Sequence, residues 1–274
     1  MIGRSLIIGR MREWSLACCV AVAGMLAAPS QGMAENECRL AAEQGGMVFP
    51  VDKLTQANRC LVGGVANSPT TSGLVGPVRT PISAKLYEYL LDRPPVIAAL
   101  LQRLNMANYQ FTPKGPQQYW GNDGDGTQGL LSLVHQDAGH RIYHIDGFHE
   151  GHVFPMVRAR AVVFMKLTPQ TGQDGRPAVE TALAAFTKLN DPVLSGLVWM
   201  LRPLVGEAVT RKLARGFEAT NQLAAAIAQD PARVVQEVPS VETLSLGEQR
   251  TLIAMIQALM PSSSSAVAPL RATP

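Results

Sequence analysis

Between Tyr109 and Leu189 the apolar pattern repeats every second residue, and turn chemistry interrupts it at short intervals. Few folds accept such a stretch. "YQFTPKG", "QQYWG", "TQGLLSLVHQ", "HRIYHIDGFH", "HVFPMVRARAVVFMKLTP" and "AVETALAAFTKL" read as strands. "NDGDG", "QDAG", "EG" and "QTGQDGRP" lie between them and suit hairpin turns. Consecutive hairpins make a meander of about five or six antiparallel strands.

The period is helical on both sides of the meander. Ser83 can cap "SAKLYEYLL", and "DRPPVIAALLQRLN" carries its prolines in an opening turn, where their missing N–H groups cost little. A break near Asp92 is expected between these two short helices, and Asn105 is a stop. Downstream, Asp191 and Pro192 open a long helix that Pro203 kinks or divides. Val205, Val209, Leu213, Phe217, Ala224 and Ile227 fall on one side of it. Residues 64–82 are rich in Gly, Pro, Ser and Thr and read as a linker or wrapping loop, with "GLVGPVRT" a candidate strand.

The ends have other signatures. Residues 1–34 fit a Sec-type signal peptide: Arg4, Arg10 and Arg12 precede the apolar "WSLACCVAVAGMLAA", and "GMA" supplies a cleavage site after Ala34. This implies a periplasmic or secreted protein. Cys38 and Cys60 remain, an even pair that an oxidising compartment favours as a disulfide. It would hold together two short helices expected in "ECRLAAEQ" and "VDKLTQANRCL" of the 35–82 extension. Residues 231–260 form a helical appendage, in which Ser245 and Glu248 have capping-box spacing and Leu252, Ile256 and Leu259 share a face able to dock a partner protein. Residues 261–274 have the composition of a disordered tail.

The formal charge of +3 falls to +1 once three arginines and Glu13 leave with the signal. Such a chain, with no basic stripe, is a poor match to phosphate-backbone binding, so no nucleic-acid partner is expected. Peripheral contact with a membrane or lipid is compatible with it. No Gly-rich phosphate loop, GxSxG elbow or HExxH helix is present, and no cofactor is expected.

All five histidines lie between residues 135 and 152. At about 3.3 Å per residue a single strand puts His140 and His149 roughly 30 Å apart, so the five cannot share one metal. His149 and His152 flank the Glu150-Gly151 turn and are the candidate metal pair. His144 and Asp146 are candidate general bases, provided they point inside.

Strict alternation in "VRARAVVFMK" puts Val157, Ala159, Ala161, Val163 and Met165 on one apolar, partly small face. With Ala182, Ala184 and Ala185 in the next strand, this face is expected to look toward the long helix. Either the helix sits close or a cavity remains for an apolar guest.

The order of paired helices, meander and long helix, with the textures "LDRPPVIAALLQRL", "RAVVFMKL" and "EAVTRKLARGFEATNQLAAAI", resembles the helix-grip fold of the START-like, polyketide cyclase-like superfamily over residues 83–230. The resemblance implies an α+β fold. A curved antiparallel sheet of about five to seven strands would surround a long C-terminal helix, with short helices N-terminal to it. It also implies a lipid, isoprenoid or quinone between sheet and helix, touching Val157, Ala159, Ala161, Val163, Met165, Val209, Leu213 and Phe217. A cyclase- or hydrolase-type enzyme and a histidine-based metal module are the alternatives.

Overall fold

The computed structural model describes residues 38–150, 156–190 and 202–260, with the side chains of the long helix described from residue 210 onward. The signal segment, His152, the start of the long helix at Asp191 and the 261–274 tail lie outside the described residues.

Seven strands pair antiparallel: β3 (Thr71–Thr80), β4 (Gln110–Gly115), β5 (Gln118–Asn122), β6 (Thr127–Gln136), β7 (His140–His149), β8 (Val157–Thr171) and β9 (Pro177–Leu189). Their order is β3-β9-β8-β7-β6-β5-β4, a meander from β4 to β9 with β3 added beyond β9. The stretch expected as a linker thus supplies an edge strand over Thr71–Thr80. It bends at a bulge between Val75 and Val78, where Gly76 has a φ of 95°, open at no cost only to glycine. The architecture is α+β and helix-grip: the sheet holds one long helix on its inner face.

That helix, α4, is described over Arg202–Gln229. Phe217, Leu223, Ala224 and Ile227 are buried in the main core. With them pack α2 (Ala84–Leu91), capped by Ser83, and α3 (Pro94–Arg103), which has proline in its first turn. A buried amide pins α4 in place. Asn221 Oδ1 accepts from Tyr87 Oη at 2.9 Å, Thr80 Oγ1 at 3.2 Å and Thr181 Oγ1 at 3.3 Å, while its Nδ2 donates to the Phe217 carbonyl at 3.1 Å. The helix, the first strand, the last strand and α2 meet at this one side chain.

The outer face of the sheet is also covered. The extension forms a small hairpin, β1 (Glu43–Gln44) and β2 (Met47–Val48), then a 3-10 turn at Val51–Lys53 and helix α1 (Gln56–Ala66). "ECRLAAEQ" is therefore not helical, and only the second expected helix forms. Phe49, Leu54, Val62 and Val65 bury against Ile142, Val162, Phe164, Ala184 and Phe186. Cys38 and Cys60 form a disulfide that ties the start of the extension to α1.

The C-terminal segment packs on the domain. Val234 of α5 (Pro231–Glu237) and Leu252 and Ile256 of α6 (Leu246–Gln257) are buried in the main core. Ser245 and Glu248 make the expected capping box. Tyr89 Oη donates to the Glu248 carbonyl at 3.3 Å, and Arg93 and Glu248 pair at 3.5 Å. The apolar face expected to dock a partner is instead spent inside the protein. None of the described helices is long and apolar enough to cross a membrane.

Candidate functional site: an apolar channel under the long helix

Directly paired residues of an antiparallel ladder share a face. Ala159 faces Gly147, Gly147 faces Gly129, and Gly129 faces Gly121. Three glycines and an alanine thus form one lateral row across β5 to β8, on the face turned to α4. The backbones come close there: a Cβ on Gly129 would lie 2.8 Å from Gly147 Cα, and one on Gly121 would lie 2.9 Å from the Phe111 ring. Opposite, on α4, stands Gly216, where an added Cβ would meet nothing within 4 Å. The sheet is bare where the helix is bare, and space remains between them.

That space is a chamber of about 200 Å³, whose walls include Tyr109, Phe111, Leu131, Ile145, Val157, Ala159, Ala161, Leu213 and Gly216. A second chamber of about 180 Å³ shares Tyr109, Phe111, Leu131, Ile145, Leu213 and Gly216 with it. Leu91, Ile97, Leu101, Val163, Met165, Leu183 and Phe217 are among its other wall residues, with Tyr143 and Thr220 the polar ones. A third space of about 450 Å³ meets the second at Leu91, Pro94, Leu131 and Tyr143 and is more polar, with Asp92, Arg93, Gln117, Tyr119 and Gln136 around it. Together they follow the strands from the β5–β6 turn to the α2–α3 corner. Near that corner the buried Arg141 guanidinium donates to Asp92 Oδ1 at 2.6 Å. Burial pushes the Tyr143 hydroxyl far up, against the opposing pull of Arg141.

The first chamber has a polar end, made by Asp123, Thr127, His149 and Lys212. Lys212 reaches from α4 to the β5–β6 turn, bonding Asp123 Oδ2 at 2.8 Å and Asp125 Oδ2 at 2.9 Å. Asp123 Oδ1 accepts the N–H groups of Asp125 and Thr127, each at 2.8 Å, so the carboxylate also shapes the turn. Burial works against the Asp123 charge, but Lys212 and these N–H groups outweigh it and hold the carboxyl below its ordinary range. Asp125 is lowered by Lys212. For Lys212, burial opposes the charge and the two carboxylates overcome it, raising the ammonium.

Of the residues expected from sequence, Val157, Ala159 and Ala161 line the first chamber, Val163, Met165 and Phe217 the second, and Leu213 both. The side chain of Val209 lies outside the described atoms. Ala182 and Ala184 pair with Lys166 and Phe164 and so face outward; of the three alanines only Ala185 turns to the core around α4.

His144 and Asp146 also face outward, by the same alternation, opposite Val162 and Arg160. His144 is buried at the outer face and Asp146 is exposed. Neither reaches the channel, which removes the geometry a general base needs. His149 does line the channel, with Nδ1 3.1 Å from Thr127 Oγ1. Its proposed metal partner, His152, lies outside the described residues. Among the described residues no three of His, Cys, Asp and Glu are grouped to hold a metal.

No protein-family model and no curated protein matches the chain. Solved structures with a similar course include a conserved protein from Geobacillus kaustophilus, at 10% identity and TM-score 0.39, covering 56% of this chain and 93% of that one. Ara h 8.0201 is similar at 16% identity and TM-score 0.32, covering 57% of this chain and 99% of that one. At this level of similarity neither carries a ligand or an activity over to this chain.

Proposed function

We propose that this is an exported binding or carrier protein of the START-like type, which holds an apolar small molecule (a lipid, an isoprenoid or a quinone) between sheet and helix. The observation that carries the reading is the pair of adjoining apolar chambers, the first of which lies between the sheet's glycine row and Gly216. A fold stabilised only by packing would fill such space, since interiors approach crystal density and voids cost stability. The described walls are mostly apolar, with charged groups gathered at one end, which favours holding a guest over transforming it. Export is supported by the signal-like residues 1–34 and by the Cys38–Cys60 disulfide, which suits an oxidising compartment.

The test is to express the full chain, purify the protein without detergent, extract it with organic solvent and analyse the extract by mass spectrometry. A stoichiometric apolar compound is expected. An empty extract, together with no uptake of a fluorescent apolar dye, would overturn the reading.

A further inference from the structure

The channel's polar end limits what head group a guest can carry, an inference that rests on the carrier reading. Lys212 Nζ donates to Asp123 Oδ2 at 2.8 Å, to Asp125 Oδ2 at 2.9 Å and to the Asp125 carbonyl at 2.7 Å. An ammonium has three protons, and all three are committed. Among the described residues Lys212 is the lysine that lines the channel, and it therefore has none left for a guest's carboxylate or phosphate. It is also outnumbered, because two carboxylates share it. Around Tyr109, farther out, Arg215 and Glu218 act with opposite signs, Arg215 the more strongly, while Asp123 outweighs either. Asp123, Asp125 and Lys212 together leave one negative charge in excess at this end of the channel. An anion reaching this end loses hydration, finds Lys212 already committed to two carboxylates and is repelled more strongly than in bulk water.

A neutral head meets a different surface. Thr127 Oγ1 and His149 Nδ1 engage each other at 3.1 Å, and His149 Nε2 makes no hydrogen bond among the described residues. An imidazole nitrogen can donate to a carbonyl or accept from a hydroxyl, depending on tautomer. We propose that the channel selects an amphiphile with one apolar chain and an uncharged, hydrogen-bonding head, an alcohol or carbonyl compound, and discriminates against the matching carboxylate.

The test compares dodecanol, methyl dodecanoate and dodecanoate as displacers of a fluorescent apolar dye from delipidated full-chain protein at pH 8, in wild type and Asp125→Asn. Asp125 is exposed and not part of the apolar wall, and its loss leaves Lys212 and Asp123 as a neutral pair. The two neutral compounds should bind at least about tenfold more tightly than dodecanoate in wild type. In the variant the ratio should shrink by about three- to tenfold, a comparison in which the compounds' different partition out of water cancels. Dodecanoate binding as tightly as dodecanol would overturn this inference and leave the carrier reading standing, as would a ratio unchanged in the variant. Failure of all three to displace a bound dye would overturn this inference alone, whereas failure of the delipidated protein to take up the dye at all would count against both.

Discussion

Gly216 separates two accounts of the interior, because filling it should stabilise the fold while abolishing the function. It sits within α4, lines both apolar chambers, and an added Cβ there meets nothing within 4 Å. Gly216→Leu gains roughly 0.8 kcal/mol from helix propensity. Burying the leucine side chain in the adjoining space adds about 1.5–3 kcal/mol, with the lower end apt because the position is half-buried. Lost rotamer freedom returns about 0.5–1 kcal/mol. The net is about 2 kcal/mol of stabilisation, or roughly 4–8 °C in Tm for a domain of this size. The same side chain occupies the guest's place, so dye affinity should fall at least about tenfold. Gly216→Ala is the control, gaining about 1 kcal/mol with binding nearly unchanged. Scanning calorimetry on delipidated protein and dye titration read the two effects. A Gly216→Leu protein that is destabilised, or that binds as wild type does, would refute the reasoning, since either result means the space is not where the backbone places it.

Asn221→Leu should cost about 3 kcal/mol in urea unfolding, because the Tyr87, Thr80 and Thr181 hydroxyls lose a common acceptor in the core; a cost near zero would show that the hub does not hold α4. Cys38→Ser with Cys60→Ser should lose about 3 kcal/mol and raise amide exchange in α1 first, leaving β6 to β9 protected; uniform loss of protection would contradict a separately anchored outer layer. Burial lowers the His144 pKa, the field of Asp146 opposes this and that of Arg160 adds to it. As pH falls below the ordinary value of 6.5 the unfolded chain therefore takes the proton first. The stability His144 contributes is complete above that pH and is lost on acidification. The urea midpoint should fall between pH 7.5 and 5.5 in wild type, and fall less in His144→Leu; equal slopes would remove His144 as the cause.

The strands were legible because their signal is local. Alternation in "VRARAVVFMK" and the turns around it place Val157 to Met165 on one face without any knowledge of neighbours, and β4 to β9 lie where the period-two segments do. The glycine row was not legible. Gly121, Gly129 and Gly147 stand in three different strands, and only the simultaneous registers of three hairpins align them with Ala159. A glycine inside each strand pattern was the available hint, since it marks close backbone approach. The β9 alanines misled because Ala182 and Ala184 have opposite parity to Ala185, so composition alone could not say which face was small. The outer layer was hidden for another reason: Phe49, Leu54, Val62 and Val65 follow no single period, and their burial depends on a sheet built far along the chain. Nothing local in the sequence marks Lys212; its role comes from the β5–β6 turn that meets it.

Open volume beneath α4 can be seen without any choice of ligand. A crystal of delipidated protein under xenon pressure should show ordered xenon between Gly147, Ala159 and Gly216, because an apolar void large enough for a guest binds the gas by dispersion. No xenon there, with the surrounding side chains filling the gap, would contradict the channel and the function built on it.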